Sequence, residues 1–417
     1  MLGWVSFFAD VSSEMIYPLL PLFLVGVLGA SATELGSVEG VAVALVAVMT
    51  AWSGWKSDGG RGRRRVPWIR FGYGLPVIGK SILALAVAWP MVMLGRGIDR
   101  VGKGLRGSPR DALISDAVAT PLRGRAFGYH RMMDTAGATV GVLLAATLLW
   151  WFGHSPTPSG TATDALSLAA EGSAFRVIFG ISAVLGLVSL ALTFLIHEAP
   201  AAPVPEVNSG SASARETESP SKSSGWLGLP AQYWLTVAVL LVFAFANSSD
   251  TFLLLRAANA GLSPVAVVLA YALYNVLYTL VSYPAGILSD RVGRWKVIAT
   301  GWAIYVVVYV GFAFAGEAGV WPLMGLYGVY MALTDGVGKA LVADHAPADR
   351  RGTAIGLYYM ASALMTLAGS VVAGVLWDHV GREWPFLIGA ATAFLALLLI
   401  PVAVRFGGQQ MYQCINR

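Results

Sequence analysis

Apolar segments long enough to cross a lipid bilayer recur along almost the whole chain. Only 12% of its 417 residues are charged and 56% are hydrophobic, whereas soluble domains carry about 25% charged residues. Apolar runs of about 20 residues are candidate membrane-spanning helices. We number the predicted spans 1 to 12, and they lie near residues 3–29, 37–55, 68–89, 91–117, 124–152, 174–197, 230–257, 264–288, 296–315, 320–343, 352–379 and 384–406. The sequence therefore predicts an all-α membrane protein with twelve transmembrane helices.

The first span and the segment after the sixth span set the predicted domain limits. Residues 3–29 lack the basic start and the small-residue cleavage site of a secretory signal, so we expect a retained span. Residues 198–225 are rich in Pro, Ser and Ala and cannot build a core, which predicts a disordered cytoplasmic linker. One six-helix bundle is expected at 1–197, and a second one with a short tail at 226–417.

Basic residues concentrate in alternate loops. The loops between spans 2–3, 4–5, 6–7, 8–9 and 10–11 hold Lys56, Arg61, Arg63, Arg64, Arg65, Arg123, Arg125, Arg215, Lys222, Arg291, Arg294, Lys296, Arg350 and Arg351. The opposite loops offer little beyond Arg176 and Arg382. The positive-inside rule therefore places both termini in the cytoplasm, in a protein of the inner (cytoplasmic) membrane.

The two halves of the chain repeat each other. "SSE" at 12–14 returns as "SSD" at 248–250, and "DRVGK" at 99–103 returns as "DGVGK" at 335–339. "RGRAFG" at 123–128 parallels "RGTAIG" at 351–356, and "SGWKSDGGRGRRR" at 53–65 parallels "AGILSDRVGRWK" at 285–296. Four matches in the same order indicate a duplicated six-helix bundle.

These motifs resemble those of the major facilitator superfamily (MFS), and the resemblance covers essentially the whole chain. The loop 2–3 signature of that family matches the second half at Gly286, Asp290, Arg291, Gly293, Arg294 and Lys296, and the first half at Gly54 and Asp58. The first copy departs from it, since Gly59 follows the aspartate where Arg is usual. The span 4 motif matches at Arg96, Gly102 and Gly104, while Asp99 and Arg100 replace its Gln and first Gly. The resemblance implies two six-helix bundles related by a pseudo-two-fold axis, with spans 1, 4, 7 and 10 around a central cavity.

The signature loops suggest a gate. An acid at a helix end can pair with arginines across the loop and hold the cytoplasmic side shut in one state of the cycle. The predicted gating residues are Gly54, Asp58, Gly286, Asp290, Arg291, Gly293 and Arg294. Alternatively, the arginines only set the topology, but Asp58 and Asp290 contribute nothing to topology.

Span 4 is unusually charged for a membrane helix. It holds Arg96, Asp99, Arg100, Lys103, Arg106, Arg110 and Asp111 on one face. A charged stripe against lipid is costly, so this face is expected to meet protein or a water-filled cavity. The alternative is a set of fixed ion pairs that only hold helices in register, although buried pairs stabilise proteins poorly.

Acids on span 1 are expected to face these bases. At 1.5 Å per residue, Glu14 reaches the depth of Lys103 or Arg106, and Asp10 that of Arg106 or Arg110. In the repeat, Glu14 corresponds to Asp250, Asp99 to Asp335 and Lys103 to Lys339. The predicted proton and substrate cavity comprises Asp10, Glu14, Arg96, Asp99, Arg100, Lys103, Arg106, Arg110, Asp134, Asp250, Asp335 and Lys339.

Other polar residues of the spans have two open interpretations. Lys80, His130, Arg131 and Asp134 extend the cavity network or form structural pairs. The stripe Tyr271, Tyr274, Asn275 and Tyr278 on span 8 is more typical of packing than of a cavity wall. Arg256 is expected to reach the membrane surface, and Glu39 to lie at the interface.

We expect a secondary active transporter that works by alternating access. "GIDRVGKG" at 97–104 imitates a phosphate-binding loop but lacks its Ser or Thr and lies inside an apolar span, so no nucleotide site is expected. The energy should then come from an ion gradient, and membrane acids beside bases favour protons over sodium. No cofactor, metal or nucleic-acid partner is predicted, and we expect a monomer whose partners are the bilayer, protons and a small molecule.

The substrate is the least defined part of this hypothesis. The first-half charges predict a mild positive excess, which favours a small anionic or zwitterionic molecule, and resemblance to drug-efflux members favours export. A hydrophobic-drug efflux pump and a non-transporting sensor on the same fold remain alternatives. An enzyme is not expected, since no nucleophile–base arrangement or metal-ligand set occurs in the sequence.

Overall fold

The computed structural model describes residues 1–20, 23–30, 32–59, 64–153, 163–196, 226–248, 250–262 and 264–415. Its helices fall at the twelve predicted spans. Span 1 comprises the α-helix Leu2–Glu14 and a π-helical turn at Phe23–Val27, and span 7 comprises Ala231–Ala246 and Thr251–Asn259. The remaining spans are Ala32–Asp58 (2), Val66–Ala84 (3), Trp89–Asp116 (4), Arg123–Gly153 (5), Thr163–Thr193 (6), Pro264–Val292 (8), Arg294–Phe314 (9), Glu317–His345 (10), Arg351–His379 (11) and Trp384–Ile415 (12).

The spans pack in the same pattern in both halves. Span 4 contacts spans 2 and 3, as span 10 contacts spans 8 and 9, and spans 5 and 6 pack on span 1 as spans 11 and 12 pack on span 7. The main contacts between the halves are those of span 2 with span 11 and of span 5 with span 8. The predicted two-bundle architecture is therefore confirmed. The predicted linker at 198–225 lies outside the described residues.

Two predicted spans are broken. Spans 1 and 7 were expected to be continuous, but their helices stop at Glu14 and at Ala246. Pro18 lacks a backbone N–H and disfavours a continuing helix in span 1. In span 7, Asn247 and Ser248 are residue types that compete for backbone hydrogen bonds, and the Tyr305 hydroxyl donates to the freed carbonyl of Ala246 at 2.7 Å. The breaks fall beside the repeat-related acids Glu14 and Asp250.

Composition alone does not identify every span as a membrane helix. Four described helices are long and apolar enough to cross a membrane by themselves, at 172–193, 294–314, 351–377 and 384–404. Span 4 is not among them because of its many charged residues, and its polar face is covered by neighbouring helices. The segment 97–104 that imitates a phosphate-binding loop lies within this continuous helix.

The bundle has one end rich in buried ion pairs. We call the end that carries loops 2–3, 4–5, 8–9 and 10–11 the basic end, and the sequence predicts that it is cytoplasmic. Arg291 is exposed there, and Glu317 is exposed at the opposite end, where span 10 begins.

This orientation can be tested with single cysteines in a Cys414→Ser background, since Cys414 is the one native cysteine. A membrane-impermeant maleimide applied to intact cells should label Glu317→Cys. Arg291→Cys should react only after the membrane is permeabilised. Labelling of Arg291→Cys on intact cells would contradict the predicted topology.

Candidate functional site

A cavity of about 470 Å³ lies between the two halves. This volume falls within the range of about 300–1,000 Å³ that is typical of small-molecule sites. Its walls come from spans 1, 2, 4, 5, 7, 8, 10 and 11, and the charged and aromatic lining residues are Asp10, Glu14, Lys103, Arg106, Arg110, Arg131, Asp134, Asp250, Tyr271, Tyr274, Tyr278, Lys339 and Tyr359.

Span 4 turns its charges inward, but only part of them reach the cavity. Lys103, Arg106 and Arg110 line it. Arg96 is 3% exposed and lies over the ring of Tyr17, and Asp99 is 6% exposed beside Arg100. Arg96, Asp99 and Arg100, which the sequence placed in the cavity, are not among its lining residues, because they face spans 1 and 3 and their own helix.

The cavity acids of span 1 have no ion-pair partner among the residues that the structure describes. Asp10 and Glu14 both line the cavity and interact electrostatically with Lys103. Neither forms an ion pair within 4.0 Å among the described residues. The span 1 acids and the span 4 bases therefore share one space, as expected, without neutralising each other directly.

The cavity bases of span 4 differ from one another in whether they form an ion pair. Arg110 pairs with buried Asp111 at 3.0 Å. Lys103 and Arg106 have no acid within 4.0 Å in the part of the chain that the structure describes. The Arg106 guanidinium instead lies 4.1 Å from the ring centroid of Tyr73.

The Asp–Lys pair predicted for both repeats forms in only one of them. Lys339 lies 3.4 Å from Asp335 in span 10, but Asp99 contacts Arg100 at 3.5 Å rather than Lys103. Gly336 follows Asp335 where Arg100 follows Asp99, so Asp335 has no arginine next to it in the sequence. Lys103 is thereby left facing the cavity.

A cross-bundle ion pair joins the halves at the cavity wall. Arg131 of span 5 lies 2.7 Å from Asp335 of span 10 and 3.2 Å from Asp134. It also donates to the hydroxyl of Tyr278, which in turn donates to Asp335 at 2.6 Å. Sequence reasoning treated Arg131 as a minor candidate, because its partner lies 204 positions away, at Asp335.

The tyrosine stripe of span 8 lines the cavity and also packs into the core, where Tyr274 is 4% and Tyr278 is 1% exposed. Tyr271, Tyr274, Asn275 and Tyr278 all contribute to the wall. The rings also contact one another, with centroids of Tyr271 and Tyr274 at 5.3 Å and of Tyr274 and Tyr278 at 5.8 Å. We call Tyr271, Tyr274 and Tyr278 the tyrosine wall.

Three of the weaker candidates have structural partners. Buried Lys80 donates to Ser12 at 2.6 Å, and buried His130 hydrogen-bonds Ser6 at 2.8 Å. Arg256 does not simply reach the surface: it donates to the carbonyls of Phe312, Ala313 and Ala315 at the end of span 9. The side chain of Glu39 lies outside the described residues.

At the basic end, Asp58 closes the contact between spans 2 and 11. It accepts hydrogen bonds from the backbone N–H groups of Gly352 (3.1 Å) and Thr353 (2.6 Å) in the first turn of span 11. These N–H groups have no partner within the helix and carry the positive end of its dipole. Arg65 lies 3.2 Å from the same carboxylate.

Asp290 makes the equivalent contact between spans 8 and 5. It accepts from the N–H groups of Gly124 (2.9 Å) and Arg125 (2.7 Å) at the start of span 5. Arg294 lies 2.5 Å from it. Each signature aspartate therefore caps a helix of the opposite half.

A second acid and a second arginine complete each contact. Asp116 binds Arg65 and Arg351, and Asp344 binds Arg294 at 2.9 Å and Arg123 at 2.8 Å. We call Asp58, Arg65, Asp116 and Arg351 the Asp58 latch, and Asp290, Arg294, Asp344 and Arg123 the Asp290 latch. The second acids were not predicted, although the repeat of 123–128 at 351–356 carries the signal, because Asp116 and Asp344 precede both copies by the same distance.

Glycines let the helices of each latch approach closely. A Cβ atom at Gly54 would lie 2.2 Å from the carbonyl oxygen of Gly352, and one at Gly286 would lie 2.3 Å from that of Gly124. Small residues at such crossings are typical of membrane helix packing. Gly293 has a different role, since its φ of +99° provides the turn between spans 8 and 9.

One predicted gating residue does not take part. Arg291 is exposed and forms no ion pair among the residues that the structure describes. The first half has Gly59 at this place, and its latch is nevertheless complete. Arg294, with its counterpart Arg65, supplies the guanidinium instead.

These features match a known family of membrane proteins. Residues 2–327 and 235–407 match the sequence pattern of the Major Facilitator Superfamily. The chain belongs to this superfamily. An uncharacterised MFS-type transporter of Methanocaldococcus jannaschii is 32% identical over 415 residues, which cover 96% of this chain and 93% of that protein.

Solved structures share the fold. The MFS transporter FucP in its outward conformation matches with a TM-score of 0.78 at 14% identity, over 96% of this chain and 97% of that one. The human organic anion transporter MFSD10 (TETRAN) matches with a TM-score of 0.70 at 15% identity, over 96% of this chain and 98% of that one. The protein is thus an MFS transporter in family and fold.

Loss of one latch carboxylate should favour opening of the basic end. Asp290→Asn removes a charged acceptor from two helix N–H groups, at a cost of about 2 kcal/mol or roughly thirtyfold in the closed-to-open ratio. Ser282→Cys reports opening, because Ser282 is 2% exposed at the crossing of spans 5 and 8. Its maleimide reaction in Cys414→Ser protein should become faster by a similar factor, and transport should suffer more than ligand binding.

The matched control is Asp349→Asn, an exposed acid of the same end with 56% side-chain exposure. It should leave the reaction rate of Ser282→Cys unchanged. Equal rates with and without Asp290→Asn would remove Asp290 from the gate.

Proposed function

We propose that the chain is a secondary active transporter that moves a small anionic or zwitterionic molecule by alternating access, driven by protons. The observation that carries this proposal is a charged cavity between two repeated bundles whose basic end is closed by the two latches. On this proposal the protein works as a monomer in the cytoplasmic membrane, with both termini and the basic end in the cytoplasm.

Alternating access requires that the latches break and re-form. The capping carboxylates of Asp58 and Asp290 are each 5% exposed, so in the closed state they make charge-assisted hydrogen bonds that water screens little. When the bundles rock, the same groups enter water and are solvated there, which keeps the two states close in free energy.

Proton coupling is supported by the unpaired acids of span 1. A carboxylate held by a fixed ion pair keeps its charge in every state, whereas Asp10 and Glu14 have no such pair in the described residues. Their protonation therefore responds to whether the cavity is open to water or closed. The segment 97–104 that imitates a phosphate-binding loop lies within the continuous helix of span 4, which argues against nucleotide as the energy source.

The cavity lining argues against a hydrophobic-drug pump. Nine charged side chains and an aromatic wall with hydroxyl groups enclose the site, and an apolar ligand would displace water from the five charges that have no ion pair in the described residues. A sensor on the same fold predicts ligand binding without flux, so counterflow of a bound radiolabelled ligand in proteoliposomes separates the two functions.

Export is the proposed direction, as proton antiport. In proteoliposomes with defined orientation, substrate should leave the basic-end side when the proton gradient runs toward that side. Movement of substrate together with protons toward the basic end would instead establish uptake.

Glu14 is the residue proposed to carry the proton. Glu14→Gln keeps the size and hydrogen-bonding capacity of the side chain but cannot change charge, so proton-driven flux should fall to background while counterflow persists. The measurement is paired uptake in proteoliposomes with and without a pH gradient.

The control is Glu317→Gln, which alters an exposed acid away from the cavity and should transport normally. If Glu14→Gln retained full proton-driven flux, Glu14 would not be the essential carrier, and Asp10 would be the next candidate.

A further inference from the structure

The charges of the cavity fall into two groups that the sequence does not separate. Arg110, Arg131, Asp134 and Lys339 are held in ion pairs with each other, with buried Asp111 or with the partly exposed Asp335. Asp10, Glu14, Asp250, Lys103 and Arg106 line the same space without an ion pair within 4.0 Å in the described part of the chain. A ligand therefore meets free charges of both signs.

Asp250 is the most distinctive of the free charges. It is the N-cap residue of the helix Thr251–Asn259, yet its side chain makes no capping hydrogen bond and lines the cavity instead. Its carboxylate accepts from the hydroxyl of Tyr327 at 2.6 Å. One carboxylate oxygen is thus fixed by a neutral donor, and the negative charge is available to a ligand.

Aromatic rings surround this carboxylate. The ring centroid of Tyr327 lies 5.3 Å from that of Tyr274 in the tyrosine wall. Tyr271, at the other side of Tyr274, interacts electrostatically with both Asp250 and Glu14. An acid beside aromatic faces is the combination that binds organic ammonium groups, through charge and through cation–π attraction.

The free bases lie on another wall of the cavity. Lys103 and Arg106 belong to span 4, and Gly104 beside Lys103 packs against the backbone of Val46 in span 2, where a Cβ atom would lie 3.0 Å from the Val46 oxygen. The acid and the tyrosine wall belong to spans 7 and 8 of the other half. Asp250 and the two bases are therefore contributed by different bundles, while the acids Asp10 and Glu14 belong to the same half as these bases.

We propose that Asp250 and the tyrosine wall form an ammonium subsite, and that Lys103 and Arg106 form a carboxylate or phosphate subsite, so that the substrate is a zwitterion. This inference rests on the proposed transport function and narrows its substrate class from anionic or zwitterionic to zwitterionic. A substrate that bridges the two poles also links the two bundles, which is what closure of the cavity around it requires.

The charges lining the cavity and their ion-pair partners support this narrowing. They comprise the acids Asp10, Glu14, Asp111, Asp134, Asp250 and Asp335 and the bases Lys103, Arg106, Arg110, Arg131 and Lys339. The positive excess expected from the first-half sequence is thus absent from this set, because Arg96, Arg100 and Lys80 lie elsewhere and the second half adds acids. A purely anionic substrate would leave the ammonium subsite unmatched.

The two poles can be measured without knowing the substrate. Single cysteines at Asn275 (tyrosine wall) and Val46 (span 4 side) in Cys414→Ser protein should be reacted in detergent with methanethiosulfonates of equal size, one carrying trimethylammonium and one carrying sulfonate. Relative to free thiol, Asn275→Cys should prefer the cationic reagent by about tenfold, and Val46→Cys should prefer the anionic one.

Asp250→Asn should abolish the preference of Asn275→Cys for the cationic reagent and leave the preference of Val46→Cys for the anionic reagent unchanged. Asp250→Glu should retain the cationic preference of Asn275→Cys. Tetramethylammonium should slow labelling of Asn275→Cys only when residue 250 is acidic. Asp349→Asn serves as the control for loss of a distant acid, and a monodisperse gel-filtration profile for each variant excludes misfolding.

Equal preference at both cysteines, or a cationic preference that survives Asp250→Asn, would overturn the inference. These outcomes are distinct from failure of the proposed function, because labelling reports the field inside the cavity and does not require flux. Absence of proton-driven flux with the two preferences intact would count against transport and leave the two-pole site standing.

Discussion

Closure of the basic end depends on one interaction made twice, a buried carboxylate that caps a helix of the opposite bundle. Asp58 on span 2 binds the first turn of span 11, and Asp290 on span 8 binds the first turn of span 5. Each carboxylate accepts from N–H groups that a helix leaves unpaired, and an arginine of its own bundle neutralises its charge. The cavity exists as a space closed at one end because these contacts hold the bundles together there.

The rest of the structure is arranged around that contact. Glycine pairs allow the backbones of the two bundles to touch at the latches, without bulky side chains between them. Deeper in the bundle, Arg131 and Asp335 add a further cross-bundle pair at the cavity wall. Beyond that pair lie the cavity charges without an ion pair in the described residues, to which the proposed function assigns ligand and proton.

The sequence predicted much of the fold and part of the site because its strongest signals are local. Apolar run length gave twelve spans, and repeated motifs gave two bundles, the signature aspartates and the inward face of span 4. The sequence alone could not identify pairs of interacting residues that lie far apart in the chain. The pairing of Arg131 with Asp335, the role of Asp116, and the exposure of Arg291 depend on how the halves meet. The breaks in spans 1 and 7 were hidden because short polar stretches beside Pro18 and Asn247 do not interrupt a long apolar window.

The most direct measurement is the distance between spans 5 and 8 at the basic end, by double electron–electron resonance on spin labels at the exposed positions Arg125 and Arg291. If the two latches close as one unit, Asp58→Asn should add a longer-distance population between these labels, although Asp58 belongs to the other latch. Asp349→Asn should give the distribution of the unmodified protein. An unchanged distribution in Asp58→Asn, and in the Asp58→Asn, Asp290→Asn double variant, would contradict the account.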